Sequence, residues 1–369
     1  MPRNNRAFQP PRRLPQWHPP RRPRTTFPTI QSAVLSLPND TTPHTLLILP
    51  GNYTEQVNIT RPGPVYLYGQ TKYPNDRTRN TVNILWRNAT GAGLSTLDNA
   101  YTSVLTVAPT FLASKTGSGP TGDPVPADTP FGNADFRAYN LNLINAYAPY
   151  SAGPALAISI SYANAGFYHC GIYSYQDTVY IGKLGNAFFH KTEIAGQTDF
   201  LYGLGTAWLQ SCALTLRGCG GGITAWKGTN TSFPNKYGVY IHDSTVRRAN
   251  ASLAATIRGK CALGRPWNSL HRSLFAHCEL DDSVLGAGYV DWSKSDPRVG
   301  VDTLMAEYGD FGPGWNETGR REGNVTRVLG KGEYGEFECV DRVFQWPGEG
   351  RFGNTGWIDR EGGGVGGCS

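Results

Sequence analysis

The sequence predicts an all-β chain: a single-stranded parallel β-helix with a short N-terminal capping helix. Two observations carry this. The middle of the chain repeats at intervals of 22 and then 20 residues, and each copy is a short β-type run. The composition, with 45 glycines, 26 prolines and 39% hydrophobic residues, suits many short strands joined by turns and is too apolar for disorder.

The repeat is read by aligning Gly166-Phe167-Tyr168-His169-Cys170-Gly171-Ile172 with Phe188-Phe189-His190-Lys191-Thr192-Glu193-Ile194 and with Trp208-Leu209-Gln210-Ser211-Cys212-Ala213-Leu214. Val239-Tyr240-Ile241-His242-Asp243-Ser244-Thr245-Val246 and Ser273-Leu274-Phe275-Ala276-His277-Cys278-Glu279-Leu280 extend the series with longer insertions. Strand units at this period signal a solenoid. A single turn closes no core, whereas stacked turns bury a column of aliphatics and pair each strand edge with the next coil.

The other elements follow in order. Residues 1–24 hold seven arginines and no acid; of the 34 basic side chains, 27 then remain against 28 acidic ones, so the body is near neutral. This Pro- and Arg-rich stretch, taken as a disordered tail over 1–25, reads either as a solvated tail or as an arm for a polyanion. Thr29 is placed to N-cap a helix in which Ile30, Ala33, Val34 and Leu37 share one face. Residues 45–49, 65–68, 81–86 and 103–108 read as strands, and 109–135 as a long surface loop. The domain is expected over 26–345, followed by a Gly-rich tail over 346–369 whose last nine residues fray.

Cys170, Cys212 and Cys278 fall at equivalent positions two coils apart, about 10 Å at ~4.8 Å per coil, beyond disulfide reach. They read as buried small apolar residues. Cys219 and Cys261 flank adjacent coils and are a possible pair, while Cys339 and Cys368 stay unassigned. No C-x-x-C or H-x-x-x-H spacing occurs, so no metal site is expected. No apolar stretch reaches the ~18 residues of a membrane span. Eight N-x-[ST] triplets, at Asn39, Asn52, Asn58, Asn88, Asn230, Asn250, Asn316 and Asn324, favour a secreted glycoprotein. The N-terminus has no apolar leader, so the leader is expected to lie outside this sequence.

Asp177 lies five residues after Ile172 and Asp199 five after Ile194, a separation of 22 residues or one coil. The two carboxylates therefore stand side by side on one face. Close carboxylates repel, so one tends to keep its proton while the other ionises, which is the division of labour that hydrolysis needs. By periodicity alone, two turn-capping aspartates are the better reading.

The flanking runs decide between these readings. Gly153-Pro154-Ala155-Leu156-Ala157, Tyr175-Gln176-Asp177-Thr178-Val179-Tyr180, Gly196-Gln197-Thr198-Asp199-Phe200-Leu201-Tyr202-Gly203, Ile223-Thr224-Ala225 and Leu263-Gly264-Arg265-Pro266-Trp267 resemble pectin methylesterases, in that family's order. The resemblance covers roughly residues 26–340, is of the fungal, secreted type, and implies that the β-helix is right-handed. It implies hydrolysis of the C6 methyl esters of homogalacturonan to pectate and methanol. Asp199 would be the nucleophile that forms an acyl-enzyme, and Asp177 the general acid and base. Gln176 would donate to the oxyanion, and Arg265 would pair with Asp199. Trp267, Tyr180 and Tyr202 would line the groove as sugar platforms. His169, His190, His242 and His277 match no family role and read as structural.

One departure stands out. Where the family usually carries a second oxyanion glutamine, this sequence has Pro154, which offers neither an amide side chain nor a backbone N–H. Loss of such a donor costs ~3 kcal/mol. It motivates two alternatives, a catalytically weakened pectin-binding protein and an esterase for another carbohydrate ester. A polygalacturonase is disfavoured because its Asn-Thr-Asp and Gly-His-Gly runs are absent, and a serine esterase because no G-x-S-x-G occurs. No cofactor is expected. The expected partner is pectin, with no nucleic acid and no membrane, for a monomer.

Overall fold

The computed structural model describes residues 26–91, 97–117, 123–229, 236–347 and 349–360. The basic segment 1–25, residues 118–122, the sequon at Asn230 and the last nine residues lie outside the described residues. Among the described residues the chain winds through three parallel sheets of ten, eight and seven strands, the first seven coils each giving one strand to each sheet in turn. One coil runs through Asn164–Tyr168, Gly171–Tyr173 and Val179–Ile181 before Asn186–His190 begins the next. The fold is a parallel β-helix, and the repeats align in the predicted register: Gly166 pairs with Phe188, Phe188 with Trp208, Trp208 with Tyr240 and Tyr240 with Leu274.

The helix Ile30–Leu35 caps the first coil, with Thr29 as its N-cap in a capping box with Ser32. The Glu55 carboxylate accepts from the N–H groups of Ile30 and Gln31 at 2.9 and 2.8 Å. Two donors that a helix start leaves unpaired are thereby satisfied by an anion, which the helix dipole favours.

The closing aliphatics of the repeat form one column through the second sheet: Ile84, Leu143, Ile172, Ile194, Leu214, Val246 and Leu280 stack in register, all buried. Each contributes about 1.5–3 kcal/mol relative to exposure. Phe136, Phe167 and Phe189 form a second column, with ring centroids 6.0 and 5.1 Å apart. Strands of the first sheet, such as Asn164–Tyr168 and Asn186–His190, are buried on both faces and so show no polar alternation.

Between the first and second sheets the chain turns through left-handed residues on successive coils: His169, Lys191, Ser211, Asp243 and His277, with φ from 47° to 55°. The next residue in each is Cys170, Thr192, Cys212, Ser244 or Cys278. The N–H of each cysteine donates to an oxygen one coil on, on Thr192 (3.3 Å), Ser244 (3.0 Å) or Asp310 (2.7 Å). The three cysteines are free and buried. Cys219 and Cys261 form a disulfide with Cα atoms 4.8 Å apart.

Two expectations about the chain's irregular parts are corrected. The described residues of the C-terminal stretch, 346, 347 and 349–360, are no loose tail: Trp357 and Ile358 are buried with Val340, Val343 and Phe344 against Tyr168, Phe188, Trp208 and Tyr240. Asp359 accepts from the Tyr139 hydroxyl at 2.9 Å, and its N–H donates to the Tyr168 hydroxyl at 2.8 Å. The aromatic outer face of the first sheet needs this cover. The described part of 109–135 is likewise anchored. It holds the helix Phe111–Ser114, and the Asp98 carboxylate accepts from the N–H groups of Thr116 and Gly117 at 2.9 Å each.

Candidate active site

The site forms at the corner between the second and third sheets. Asp177 precedes the strand Val179–Ile181, and Asp199 precedes Leu201–Gly203, which pairs with it. Both aspartates sit in the left-handed region, at φ 58° and 47°. A short polar side chain tolerates that conformation, and it turns both carboxylates the same way. The Asp177 N–H donates to the Thr198 carbonyl at 3.1 Å, and the Asp199 N–H to the Gly222 carbonyl at 2.7 Å, so neighbouring coils lock the two residues.

Thr198 pairs with Gly220, which puts Gly221 at the next corner of the stack, again left-handed at φ 64°. A Cβ at Gly221 would fall onto Asp199 Oδ1 and lie 2.7 Å from Arg265 Nε. The missing side chain is what admits the ion pair. Arg265 follows the strand Ala262–Gly264 and reaches back, donating from Nε to Asp199 Oδ1 at 3.0 Å and from Nη2 to Oδ2 at 2.5 Å. The Gly222 N–H also donates to Oδ1, at 3.0 Å. Such a fork fixes a carboxylate in orientation as well as charge.

Asp177 is buried and lacks this partner. Burial drives its carboxyl well above the usual carboxylate range, the Asp199 charge pushes it further, and Arg265 opposes both. The arrangement therefore separates two chemically similar groups, a guanidinium-bound Asp199 and an Asp177 whose burial favours the protonated form.

Gln176 precedes Asp177, and its carbonyl accepts from the Ala155 N–H at 3.1 Å, which sets Pro154 on the adjoining coil. Its side-chain Oε1 accepts from Ser151 Oγ at 2.8 Å, leaving the amide NH2 to face other acceptors. Trp267 is half-buried, with its N–H on the Trp226 carbonyl at 3.0 Å. The other two expected platforms are corrected. Tyr180 and Tyr202 are only 1% and 3% exposed and pack with Leu156, Leu204 and Ala225 beneath Trp267. Neither ring has a face open to a sugar. Burial raises the Tyr180 hydroxyl pKa, with the Asp98 and Asp123 charges adding to it, and Thr102, four residues after Asp98, accepts from the Leu156 N–H at 2.9 Å beside this cluster.

The Pectinesterase family model matches residues 128–339, more than half of the chain. The chain belongs to the pectinesterase family. It is 30% identical over 292 residues to a pectinesterase of Aspergillus niger, covering 78% of each chain. In fold it resembles the pectin methylesterase of the same organism, with a TM-score of 0.70 at 23% identity over 92% of this chain and 95% of that one. A pectin methylesterase solved with a hexasaccharide superposes at a TM-score of 0.63 and 23% identity, over 87% of this chain and 94% of that one. As a pectinesterase, the chain hydrolyses the methyl esters of pectin.

Around the pectinesterase corner lie residues that motif reading passed over. Ser151 stands just upstream of the Gly153-Pro154 run. Arg217 donates from Nη1 to the Ser174 carbonyl at 3.0 Å and stacks on Tyr175 at 4.9 Å, bracing the loop of Gln176 and Asp177. The Lys227 ammonium lies 3.5 Å from the Trp267 ring centroid, and burial lowers its pKa to about 8. Trp292 and Arg298 approach from a loop beyond the last quoted motif. The one sequence signal for them is a tryptophan and an arginine in an exposed, Ser- and Asp-rich stretch.

Proposed function

We propose that this pectinesterase works through an acyl-enzyme, with Asp199 as nucleophile and Asp177 as general acid and then base. The observation that carries the reading is the asymmetry of the pair: Arg265 binds Asp199 bidentately, while Asp177 keeps a raised pKa. Asp199 attacks the C6 ester carbonyl of a galacturonate unit, and the Gln176 amide donates to the oxyanion. The C–O bond to the methoxy group breaks as Asp177 gives its proton to the leaving oxygen, releasing methanol. Asp177, now anionic, takes a proton from water as its oxygen attacks the acyl carbon. Asp199 leaves as a carboxylate, and Asp177 is again protonated.

The partner in this reading is methylated homogalacturonan, bound by a monomer with Trp267 as the sugar platform. Secretion as a glycoprotein is supported by the Cys219–Cys261 disulfide and by exposed sequon asparagines at 39, 52, 58, 250, 316 and 324. Among the described residues no helix is long and apolar enough to cross a membrane.

Methanol release from highly methylated pectin tests the mechanism, with wild type set against Asp199→Ala and Asp177→Asn. Release that falls by about 10³-fold or more in both variants is expected. Turnover by Asp199→Ala at the wild-type rate would remove Asp199 as nucleophile.

A further inference from the structure

We propose that Arg298 is a positioning residue of the esterase reaction, which holds Arg265 on Asp199 through the Trp292 indole and fixes the backbone of Trp267. The inference rests on the reading of Arg265 and Asp199 given above.

The Arg265 guanidinium carbon lies 3.8 Å from the Trp292 ring centroid and that of Arg298 lies 4.0 Å from it. Two flat guanidinium groups at such distances cannot share one ring face, so they take opposite faces and the indole is sandwiched. The cations are then roughly 8 Å apart, and each has its own carboxylate. Arg265 is on Asp199, and Arg298 donates to Asp296 Oδ2 from Nε at 2.9 Å and Nη2 at 2.6 Å. The row reads carboxylate, guanidinium, indole, guanidinium, carboxylate, with each cation paired to its own anion on the outside and the ring quadrupole attracting both cations from between.

The far end of the row is tied to the groove. Arg298 Nη1 donates to the Trp267 carbonyl at 2.7 Å. The loop is closed at its neck by Asp291 Oδ1, which accepts from the N–H groups of Trp292 (2.7 Å), Arg298 (2.7 Å) and Val299 (3.2 Å). The nucleophile's cation and the sugar platform thus share one brace. Arg265 spends Nε and Nη2 on Asp199 and has Trp292 as its backing; without Arg298 the indole loses its support on one side. A displaced Arg265 alters the orientation of Asp199 and lowers the chemical step more than substrate binding.

The test compares Arg298→Ala, Trp292→Leu and the double variant by methanol release, thermal unfolding and the hydrogen exchange of the Arg265 Nε–H followed by 1H–15N spectroscopy. Each single variant is expected to lose about tenfold in kcat with KM changed less than about twofold, and the double variant to lose no more than Trp292→Leu alone. The Nε–H is expected to exchange at least about tenfold faster in Arg298→Ala. Should Arg298→Ala not fold, Arg298→Lys keeps the charge without the flat stacking face and is expected to show the same losses in part. A folded Arg298 variant with wild-type kcat and exchange overturns the proposal, as do losses that multiply in the double variant. A wild type that releases no methanol overturns the esterase mechanism instead, and the exchange comparison still decides the positioning role.

Discussion

The Asp199 carboxylate occupies the space that a side chain on Gly221 would require. Both residues stand at the same left-handed corner on adjoining coils, and the path from Arg265 to Asp199 passes over the bare Gly221 backbone. Adding one methyl group therefore strains the backbone and collides with the ion pair. Gly221→Ala is expected to lose about 10²-fold or more in kcat/KM, with a left-handed penalty of about 1–2 kcal/mol in stability. Steady-state methanol release beside denaturant unfolding checks this. Full activity would mean that Asp199 and Arg265 separate freely.

The burial that raises the Asp177 pKa comes at the expense of stability. Its folded pKa lies above the unfolded value of 3.8, so above that pH the unfolded chain releases a proton that the folded chain keeps. Stability from this group is complete at low pH and falls as pH rises toward the folded pKa. Asp177→Asn, the isostere of the protonated acid, is expected to abolish turnover yet melt higher than wild type. The gain, on the order of a few degrees at pH 7, is expected to vanish near pH 4. A Tm difference that does not change with pH would contradict the raised pKa.

Pro154 lies on the coil beside Gln176 and offers no donor. Pro154→Gln restores an amide at this edge, and the Thr90 N–H keeps its carbonyl partner at residue 154. An increase in kcat of about tenfold or more is expected, up to the hundredfold that ~3 kcal/mol represents. No increase in a folded variant would show that the oxyanion is already fully served.

Lys227 gives the groove a titration of its own. Burial lowers its pKa to about 8 against 10.5 for the free side chain. The unfolded chain thus binds more protons between these values, and this residue's contribution to stability rises with pH across that window. Because the ammonium lies over Trp267, tryptophan fluorescence is expected to change with a midpoint near pH 8, and Lys227→Met is expected to lose the transition. A transition that persists in the variant would place its origin elsewhere.

The fold was legible because a solenoid writes its register into the chain: Ile172, Ile194 and Leu214 close successive coils at the spacing at which they stack. The carboxylate pair was legible for the same reason, since Asp177 and Asp199 follow those aliphatics at equal offsets. What escaped notice arrives from outside the repeat. Tyr180 and Tyr202 look like surface aromatics until the segment around Asp98 is brought near. Trp357 and Ile358 sit in a stretch whose glycines disguise its packing. Arg298 reaches Trp292 and Trp267 from a loop with no periodicity, and only the folded geometry shows what its guanidinium touches. The Ser151 contact to Gln176 spans two coils and leaves no local pattern.

The corner that carries the chemistry is assembled in series. Asp177, Asp199, Gly221 and Arg265 come from four successive coils, each supplying one component. Coils beyond either end of this set could be added or removed without separating these four residues, and the insertions between later repeats show how freely loops lengthen. A coil added or removed within the set would part Asp177 from Asp199 or Asp199 from Arg265. A change in length that keeps this corner intact is therefore confined to loops and ends, and a designer grafting it onto another solenoid must transplant the four rungs as one unit.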